Sequence, residues 1–583
     1  MDHLNTISLT LFIGFLTLTH GGDDNSTPVI KTKSGSIVGY AEKYQGTKIY
    51  RFLGIPFAEP PVGKLRFSKP NPVKPWKNVL KATKKAKSCY QPRLSVARQF
   101  IRRELSEDCL YLNILATEDA VKRNGSKRPV MVFIHPTDFT YSSGSDYPFS
   151  SPTLVARKDV ILVTMQFRMN IFGFLYSKKY PGMDGNIGLF DQKMALQWVN
   201  DNIEPFGGDS KRITLFGQES GGVSIADHIQ SSEVKNLFQN AIIMSGPSFY
   251  SYQDQPNKRT SASTDIVIDR VKCSDAKDKL DCLRNVSPKD LISALPNRAF
   301  AFSPIFGDKY LPFQQSEVLR VSYFNDVNIL MGYVRNDVGI FQATLEPEVY
   351  AKAELTLDDA AELIGRKFEK GAIDKLIKSY IGDPAKGPYS TRQIQKGLIR
   401  LANDHSVKCP IYGYISNAVA RQDNGKTYVY ELAHSPTTHY WPQCTMNSEF
   451  DVCSADDVLM IFGVPFDRPD MFSDKDRQVS DRMMEEWTSF ARNGKPSYKG
   501  QKWPVWQSSN STVLIDSGQR LRTDQKQGII CYQRNPYFAQ ELLPKLFPTD
   551  LYTIERQIEY DRTQSYNDWL YNTFRYLIDQ NYF

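Results

Sequence analysis

The chain has 583 residues, of which 41% are hydrophobic and 12% aromatic, a composition that fills a large core and excludes an intrinsically disordered protein. Its formal net charge is +8. No metal-ligand spacing, phosphate-binding loop or dinucleotide fingerprint is present, so we expect no metal, no cofactor and no nucleic-acid partner.

An apolar stretch, Ile7–Thr19, lies near the start of the chain and is followed by small and polar residues. Because it is too short to cross a bilayer comfortably, we interpret residues 1–21 as a secretory signal peptide. A short signal anchor stays open, since no basic residue precedes the stretch. The eight cysteines suit an oxidising compartment. We therefore expect a secreted, extracellular protein with no membrane span, glycosylated at its four N-x-[ST] sites, Asn25, Asn124, Asn285 and Asn510.

The segment from Pro61 to Arg103 contains thirteen Lys or Arg residues and no Asp or Glu. Removing these thirteen from the total of 72 leaves 59 basic against 64 acidic residues, so the rest of the chain has a net charge of −5. A basic segment of this kind suits an acidic glycan, membrane headgroups or an acidic protein as partner. The alternative is a solvated surface segment whose charges spread apart in the fold.

The middle of the chain alternates apolar runs with helical patterns, which is typical of a mostly parallel sheet covered by helices on both faces. The predicted strands are Val130–Ile134, Val160–Met165, Ile213–Phe216, Ala241–Met244, Asn328–Gly332 and Thr427–Leu432. The predicted helices include Phe190–Ile203 and Asp476–Gly494, the second ending at a glycine. No repeat or low-complexity linker interrupts the pattern, so residues 22–548 are predicted to form one α/β domain.

The C-terminal segment, residues 549–583, is rich in tyrosine and has apolar residues at helical spacing. Trp569, Leu570, Phe574, Leu577 and Ile578 would form one stripe of a short amphipathic helix. Two roles stay open for this helix, docking on its own domain and assembly with a partner or into a homo-oligomer.

Several long motifs resemble the type-B carboxylesterase/cholinesterase family. They are "FLGIPFAEPPVGKLRF" (Phe52–Phe67), "SEDCLYLNI" (Ser106–Ile114), "GNIGLFDQKMALQWVNDNIEPFGGD" (Gly185–Asp209) and "ITLFG" (Ile213–Gly217). The resemblance runs without interruption over Val29–Pro548. It implies the α/β-hydrolase fold, with a nucleophile on a sharp turn between a strand and a helix, an acid after a later strand and a histidine near the end.

The same resemblance implies a set of disulfides. Cys89 is expected to pair with Cys109, Cys273 with Cys282, and Cys409 with Cys531. Cys444 and Cys453 remain, and a fourth bridge between them is the prediction that sequence alone does not prove.

The position of the family's nucleophile is occupied by a glutamate. The family reads F-G-x-S-A-G-G-x-S, whereas this chain reads "FGQESGGVS" from Phe216 to Ser224 with no insertion. Glu219 therefore takes the serine position and Ser220 the alanine position. A carboxylate there suits the N-terminus of the helix that follows, but it offers no hydroxyl for an acyl-enzyme and opposes a developing oxyanion.

The other catalytic positions of the family are changed as well. The glycines of the family's H-G-G-G-F oxyanion loop are replaced by Pro136, Thr137 and Asp138. The acid position holds Asp337, which could orient a histidine, but the histidine position holds Ser454, which has no pKa near neutrality. We therefore expect this chain to have no catalytic residues. It would be a family member that has lost the hydrolase activity, similar to the glutactin and neuroligin type.

Three functions stay open. The leading one is a secreted, non-catalytic binding protein that contacts an extracellular protein or an acidic glycan in adhesion, in a matrix or with a ligand. The second is a protein that keeps the apolar gorge of an esterase and sequesters a small hydrophobic molecule. The third is an active carboxylic ester hydrolase that uses Ser220.

Overall fold

A computed structural model describes residues 26–92, 104–122, 126–246, 256–296, 301–312, 325–337, 354–366, 368, 370–419, 423–441, 444, 451–518, 521–525 and 531. The predicted signal peptide, the tyrosine-rich segment 549–583 and two of the predicted glycosylation sites, Asn25 and Asn124, lie outside these residues. Residues 93–103 of the basic segment lie outside them too.

The strands alternate with helices along most of the described chain. The strands are β1 (Ile30–Thr32), β2 (Gly35–Val38), β3 (Tyr40–Tyr44), β4 (Thr47–Pro56), β5 (Leu80–Lys81), β6 (Ser88–Cys89), β7 (Leu105–Ser106), β8 (Tyr111–Thr117), β9 (Arg128–Ile134), β10 (Ile161–Met165), β11 (Gly208–Gln218), β12 (Asn240–Met244), β13 (Asn328–Val334), β14 (Thr427–Leu432), β15 (Ser497–Tyr498), β16 (Gln501–Lys502), β17 (Thr512–Ile515) and β18 (Arg522–Asp524). The α-helices are α1 (Glu118–Val121), α2 (Thr153–Lys158), α3 (Asn170–Phe174), α4 (Ile187–Asn202), α5 (Ser220–Ile229), α6 (Pro256–Arg270), α7 (Lys279–Asn285), α8 (Pro288–Ser293), α9 (Leu357–Gly365), α10 (Lys370–Tyr380), α11 (Thr391–Asn403), α12 (Cys409–Val419), α13 (Asp456–Ile461), α14 (Val464–Asp467), α15 (Asp474–Asn493) and α16 (Trp506–Ser509).

In the described residues, eleven strands form one twisted sheet in the order β18-β17-β14-β13-β12-β11-β9-β10-β8-β4-β3. Every pair from β17 to β10 is parallel, whereas β18 at one end and β8, β4 and β3 at the other run antiparallel. The predicted α/β-hydrolase architecture, a mostly parallel sheet flanked by helices, is therefore confirmed.

The sheet buries both faces because its central strands are mostly apolar, with apolar side chains pointing to both sides. In β9, Val130, Val132 and Ile134 pack into one core, and Met131 and Phe133 into the other. Helices α4 and α5 cover the first core, while α2, α13 and α15 cover the second. A separate small core joins α9, α10 and α11. This two-sided covering fixes the strand ends on which the candidate site is built.

Helix α15 shows how local sequence sets an element's bounds. Ser473 and Asp476 form a capping box at its start, in which each side chain accepts a hydrogen bond from the other residue's backbone N–H. Gly494 ends the helix in the left-handed conformation (φ 67°), which glycine adopts without a steric cost.

Four disulfides cross-link the described chain; three have the pairings that the sequence resemblance implies, and the fourth joins the two remaining cysteines as predicted. They are Cys89–Cys109, Cys273–Cys282, Cys409–Cys531 and Cys444–Cys453. Across the ranges that the structure covers, no helix combines the length and the apolar character needed to span a membrane.

Candidate functional site

The candidate site is built on the sharp turn between β11 and α5, whose tip is Glu219. The strand ends at Gln218, Glu219 has φ 54° and ψ −117°, and the helix begins at Ser220. The backbone N–H of Glu219 donates to the Met244 carbonyl at 2.9 Å, and the Glu219 carbonyl accepts from the Val223 N–H at 2.8 Å. Such a strained strand-to-helix turn aims the tip side chain out of the sheet edge. The residue presented there is Glu219, which is half-buried.

Ser220 is placed differently. It is the first residue of α5 and only 2% exposed. A one-residue shift that brought Ser220 to the tip would move Gln218 to the place of Gly217. A Cβ atom there would lie 2.8 Å from the Ile134 carbonyl oxygen, which is closer than side chains tolerate. The packing of the turn therefore requires the register with Glu219 at the tip.

The loop after β9 brings two backbone donors to the Glu219 side chain. The N–H groups of Thr137 and Asp138 both donate to Oε2 of Glu219, at 2.9 and 3.0 Å. Thr137, Asp138 and Phe139 have φ values of 93°, 53° and 56°, a region that favours glycine. The loop thus directs two converging N–H donors at the protein's own carboxylate, although none of these three residues is a glycine. The sequence suggests that this carboxylate faces the N-terminus of α5, but its two backbone hydrogen bonds come from the loop after β9.

Asp138 and Glu219 form a carboxyl pair. Desolvation in the loop, followed by the negative charge and hydrogen bonding of Glu219, raises the pKa of Asp138 well above its ordinary value, and the Arg259 charge opposes this only in part. Asp138 therefore keeps its proton to a higher pH than an ordinary aspartic acid does. A shared proton reduces the repulsion between the two carboxyl groups.

Asp337 and Ser454 lie beside this turn. Asp337 follows β13 and is 2% exposed; its Oδ2 accepts from the Val334 N–H at 3.2 Å. Burial raises the pKa of Asp337 to about 6, which the hydroxyls of Ser245 and Ser454 counteract and the charge of Glu219 reinforces. The structure thus brings Glu219, Asp337 and Ser454 together, as the resemblance implies for these three positions.

Four further side chains of the site were not predicted to belong to it. Gln218 donates from Nε2 to the Ser454 hydroxyl at 3.3 Å, and Asn403 accepts from the Asp337 N–H at 3.0 Å. Asp457 is buried, and burial together with the nearby charge of Asp337 raises the pKa of Asp457 to about 8. Tyr430 donates to this carboxyl at 2.8 Å. The paired aspartates at 456 and 457 were the one available signal, because a charged pair inside an apolar run must find buried partners.

The histidines after β14 are bound to carboxylates of neighbouring helices. His434 Nε2 lies 2.7 Å from Asp476 Oδ1, and His439 Nδ1 lies 2.7 Å from Asp456 Oδ2. Asp476 also caps α15. These pairs connect the loop after β14 to α13 and α15. His228 is buried, and burial lowers its pKa to about 3.

The remaining predicted site residues lie away from this turn in the chain. Asn285 is exposed at the end of α7, and Asn510 follows α16 with φ 50°. Their glycosylation stays a prediction. Among the described residues, no group of three or more His, Cys, Asp or Glu side chains is arranged to hold a metal ion.

Comparisons with known proteins agree with the α/β fold described above. The model of the carboxylesterase family matches residues 26–528. The chain is 30% identical to an acetylcholinesterase of Bungarus fasciatus over 542 residues, covering 89% of this chain and 86% of that protein. It is 30% identical to liver carboxylesterase 1F of Rattus norvegicus (89% and 96% covered) and 31% identical to liver carboxylesterase B-1 of the same species (86% and 93% covered). The chain therefore belongs to the carboxylesterase family.

Proposed function

We propose that this protein is a non-catalytic member of the carboxylesterase family that acts by binding an extracellular partner. One observation supports this most strongly, the carboxylate of Glu219 held at 2.9 and 3.0 Å by the two backbone N–H groups of the loop after β9. These are the donors that would have to receive the oxyanion of an ester substrate.

The Glu219 carboxylate would raise the activation free energy of ester hydrolysis by more than a single contact contributes. A second negative charge about 4 Å from the Glu219 carboxylate is repelled by about 4 kcal/mol at an effective dielectric constant of about 20, which corresponds to about a thousandfold in rate. Losing one oxyanion donor costs a further ~100- to 1000-fold. Because Pro136 has no N–H and the other two donors bind Glu219, both penalties apply.

Proton transfer is the second obstacle. Ser454 occupies the position that the family resemblance assigns to the histidine, and a serine hydroxyl neither accepts nor returns a proton near neutral pH.

The four disulfides favour an oxidising, extracellular location. A protein of this fold without a working catalytic site would act by binding a partner at its surface.

Steady-state hydrolysis of phenyl acetate and 4-nitrophenyl butyrate tests this function. We expect the intact chain to match its Ser220→Ala variant at the uncatalysed background rate. Glu219→Ser alone is also expected to stay at background, because Ser454 cannot take the proton. Turnover by the intact chain that Ser220→Ala abolishes would refute the proposal.

A further inference from the structure

Strands β1, β2 and β5 form a small separate sheet with one basic outer face. Lys31 in β1 lies opposite Ser36, and Lys81 in β5 lies opposite Val38. Because Ser36 and Val38 are two residues apart in β2, all four side chains share one face. The other face carries Ile30, Ile37 and Leu80, which pack on the main core.

Two more lysines lie next to this sheet. Lys77 follows Trp76, whose backbone N–H and indole N–H both donate to the β1–β2 turn, at 2.9 Å from the Ser34 and Ser36 carbonyl oxygens. Lys84 lies three residues beyond Lys81. We call Lys31, Lys77, Lys81 and Lys84 the lysine strip; all four are exposed. Two strand spacings and a two-residue offset separate the Cα atoms of Lys31 and Lys81 by about 12 Å.

Three acidic side chains are paired with lysines that neighbour the strip residues in the sequence. Asp201 binds Lys33 at 2.8 Å, Glu59 binds Lys74 at 2.7 Å and Glu104 binds Lys87 at 3.3 Å. In contrast, the four strip lysines form no ion pair within the part of the chain that the structure describes. The strip therefore has an unbalanced charge of about +4 on a fixed scaffold.

Two basic residues of the 61–103 segment are held by other groups of the fold, Arg66 in a buried position and Lys85 in an exposed one. Arg66 is buried and holds Glu107 through two nitrogens at 2.6 Å. Lys85 donates to the Ser145 carbonyl at 2.7 Å, and desolvation lowers its pKa. The basic surface is thus narrower than the sequence segment, and it extends to Lys31, which lies outside that segment.

We propose that the lysine strip binds a sulfated polysaccharide chain. This proposal rests on the binding function proposed above and names the chemistry of one partner. Cations spread over about 12 Å cannot all surround one small anion, whereas a polymer with repeated sulfate groups contacts them in sequence. Lysine, a compact point charge with three rotatable donors, suits sulfates whose position varies along such a chain.

The surface fits other partners less well. Protein interfaces use aromatic residues and Arg as anchors and are poor in Lys. A membrane-surface site inserts Trp, Phe or Leu, but the exposed large apolar residues near the strip are only Val29 and Val79 within the described ranges. A glycan needs neither anchor, because charge and hydrogen bonds supply its contacts.

The test is titration of the full chain with a heparin dodecasaccharide at low salt and at about 0.15 M salt. We expect saturable binding that weakens with salt, and a Kd that rises at least about tenfold in the quadruple variant K31A/K77A/K81A/K84A. The matched control is K289A/K375A/K475A/K502A, which removes four other exposed lysines and is expected to leave the Kd within about twofold. The melting temperature of each variant verifies folding.

Four results would overturn the proposal. The first is that the chain does not bind heparin at low salt, and the second is that both quadruple variants lose the same heparin affinity. The third is that desulfated heparin or polyglutamate binds as tightly as heparin does. The fourth is that the chain binds phosphatidylserine vesicles tightly but does not bind heparin. Ester hydrolysis by the same preparation is measured separately, so that failure of this proposal can be distinguished from failure of the proposed function. A failed glycan titration with absent turnover refutes only the partner, whereas turnover dependent on Ser220 refutes the non-catalytic function.

Discussion

Glu219 has a structural effect that its sequence position does not reveal. The backbone of Glu219 and the loop residues Thr137 and Asp138 all have positive φ, at 54°, 93° and 53°. Each such non-glycine conformation costs roughly 1–3 kcal/mol. A hydrogen bond to a charged acceptor contributes about 1.5–3 kcal/mol, and Glu219 accepts two of them from this loop. The two hydrogen bonds to this carboxylate therefore offset much of the backbone strain of these three residues.

Asp457 gives a prediction about pH. Its pKa is about 8 in the folded protein and 3.8 when unperturbed, so between these values the folded state holds a proton that the unfolded state has released. Stability is therefore expected to fall as pH rises from about 4 to about 8. Asp457→Asn stays neutral, and we expect it to raise the free energy of unfolding at pH 8 by about 1–3 kcal/mol and by less at pH 5.

The measurement is the melting temperature of both proteins between pH 5 and 8. Asp337, with a pKa of about 6, keeps titrating in the variant, so a smaller slope is expected to remain below that pH. Parallel profiles for the intact chain and Asp457→Asn would show that this carboxyl does not control the pH dependence.

At the scale of elements, Glu219 links the turn before α5 to the loop after β9, although the two are separated by about eighty residues in the chain. Glu219→Ala removes the acceptor of the Thr137 and Asp138 N–H groups. We expect their amide hydrogen exchange to accelerate at least about tenfold, and stability to fall by about 1–3 kcal/mol. Peptide-level exchange over residues 135–140 measures this.

Two variants control that experiment. Glu219→Gln keeps an uncharged acceptor and is expected to accelerate exchange less. Ser220→Ala changes the buried neighbour without touching the loop's acceptor and is expected to leave residues 135–140 unaffected. Unchanged exchange in Glu219→Ala would mean that the carboxylate does not hold the loop.

The sequence located most central elements because their apolar runs are continuous. Thr427–Leu432 is confirmed with the predicted bounds, and the helix predicted over Asp476–Gly494 is observed as Asp474–Asn493. The strand predicted over Ile213–Phe216 is observed as Gly208–Gln218. Its first half is polar and joins β9 through a register irregularity between Gly208 and Ile213, which alternation of apolar residues does not reveal.

At the scale of the whole molecule, the family resemblance placed Glu219, Asp337 and Ser454 at one site, but it did not identify the groups that bind them. The bonds of Glu219 to Thr137 and Asp138 depend on side-chain reach across two loops, which no local pattern encodes. The antiparallel strands at both ends of the sheet were also not predicted, because β3, β4 and β18 mix polar and apolar residues.

The distribution of charge on the surface could not be predicted from the sequence either. Composition indicated one basic segment, yet its members have different surroundings in the fold, from the buried pair of Arg66 with Glu107 to the unpaired, exposed Lys81. Only the strand register places Lys31 on the same face as Lys81. The lysine strip that we propose as a binding surface therefore depends on the tertiary arrangement.

The central claim is that the turn between β11 and α5 presents a carboxylate and no reactive hydroxyl. Intact-mass spectrometry after treatment with excess fluorophosphonate tests it most directly, with an active carboxylesterase in the same reaction as positive control. We predict that the control gains one adduct per chain and that this protein gains none. A stoichiometric adduct that peptide mapping assigns to Ser220 would contradict the account.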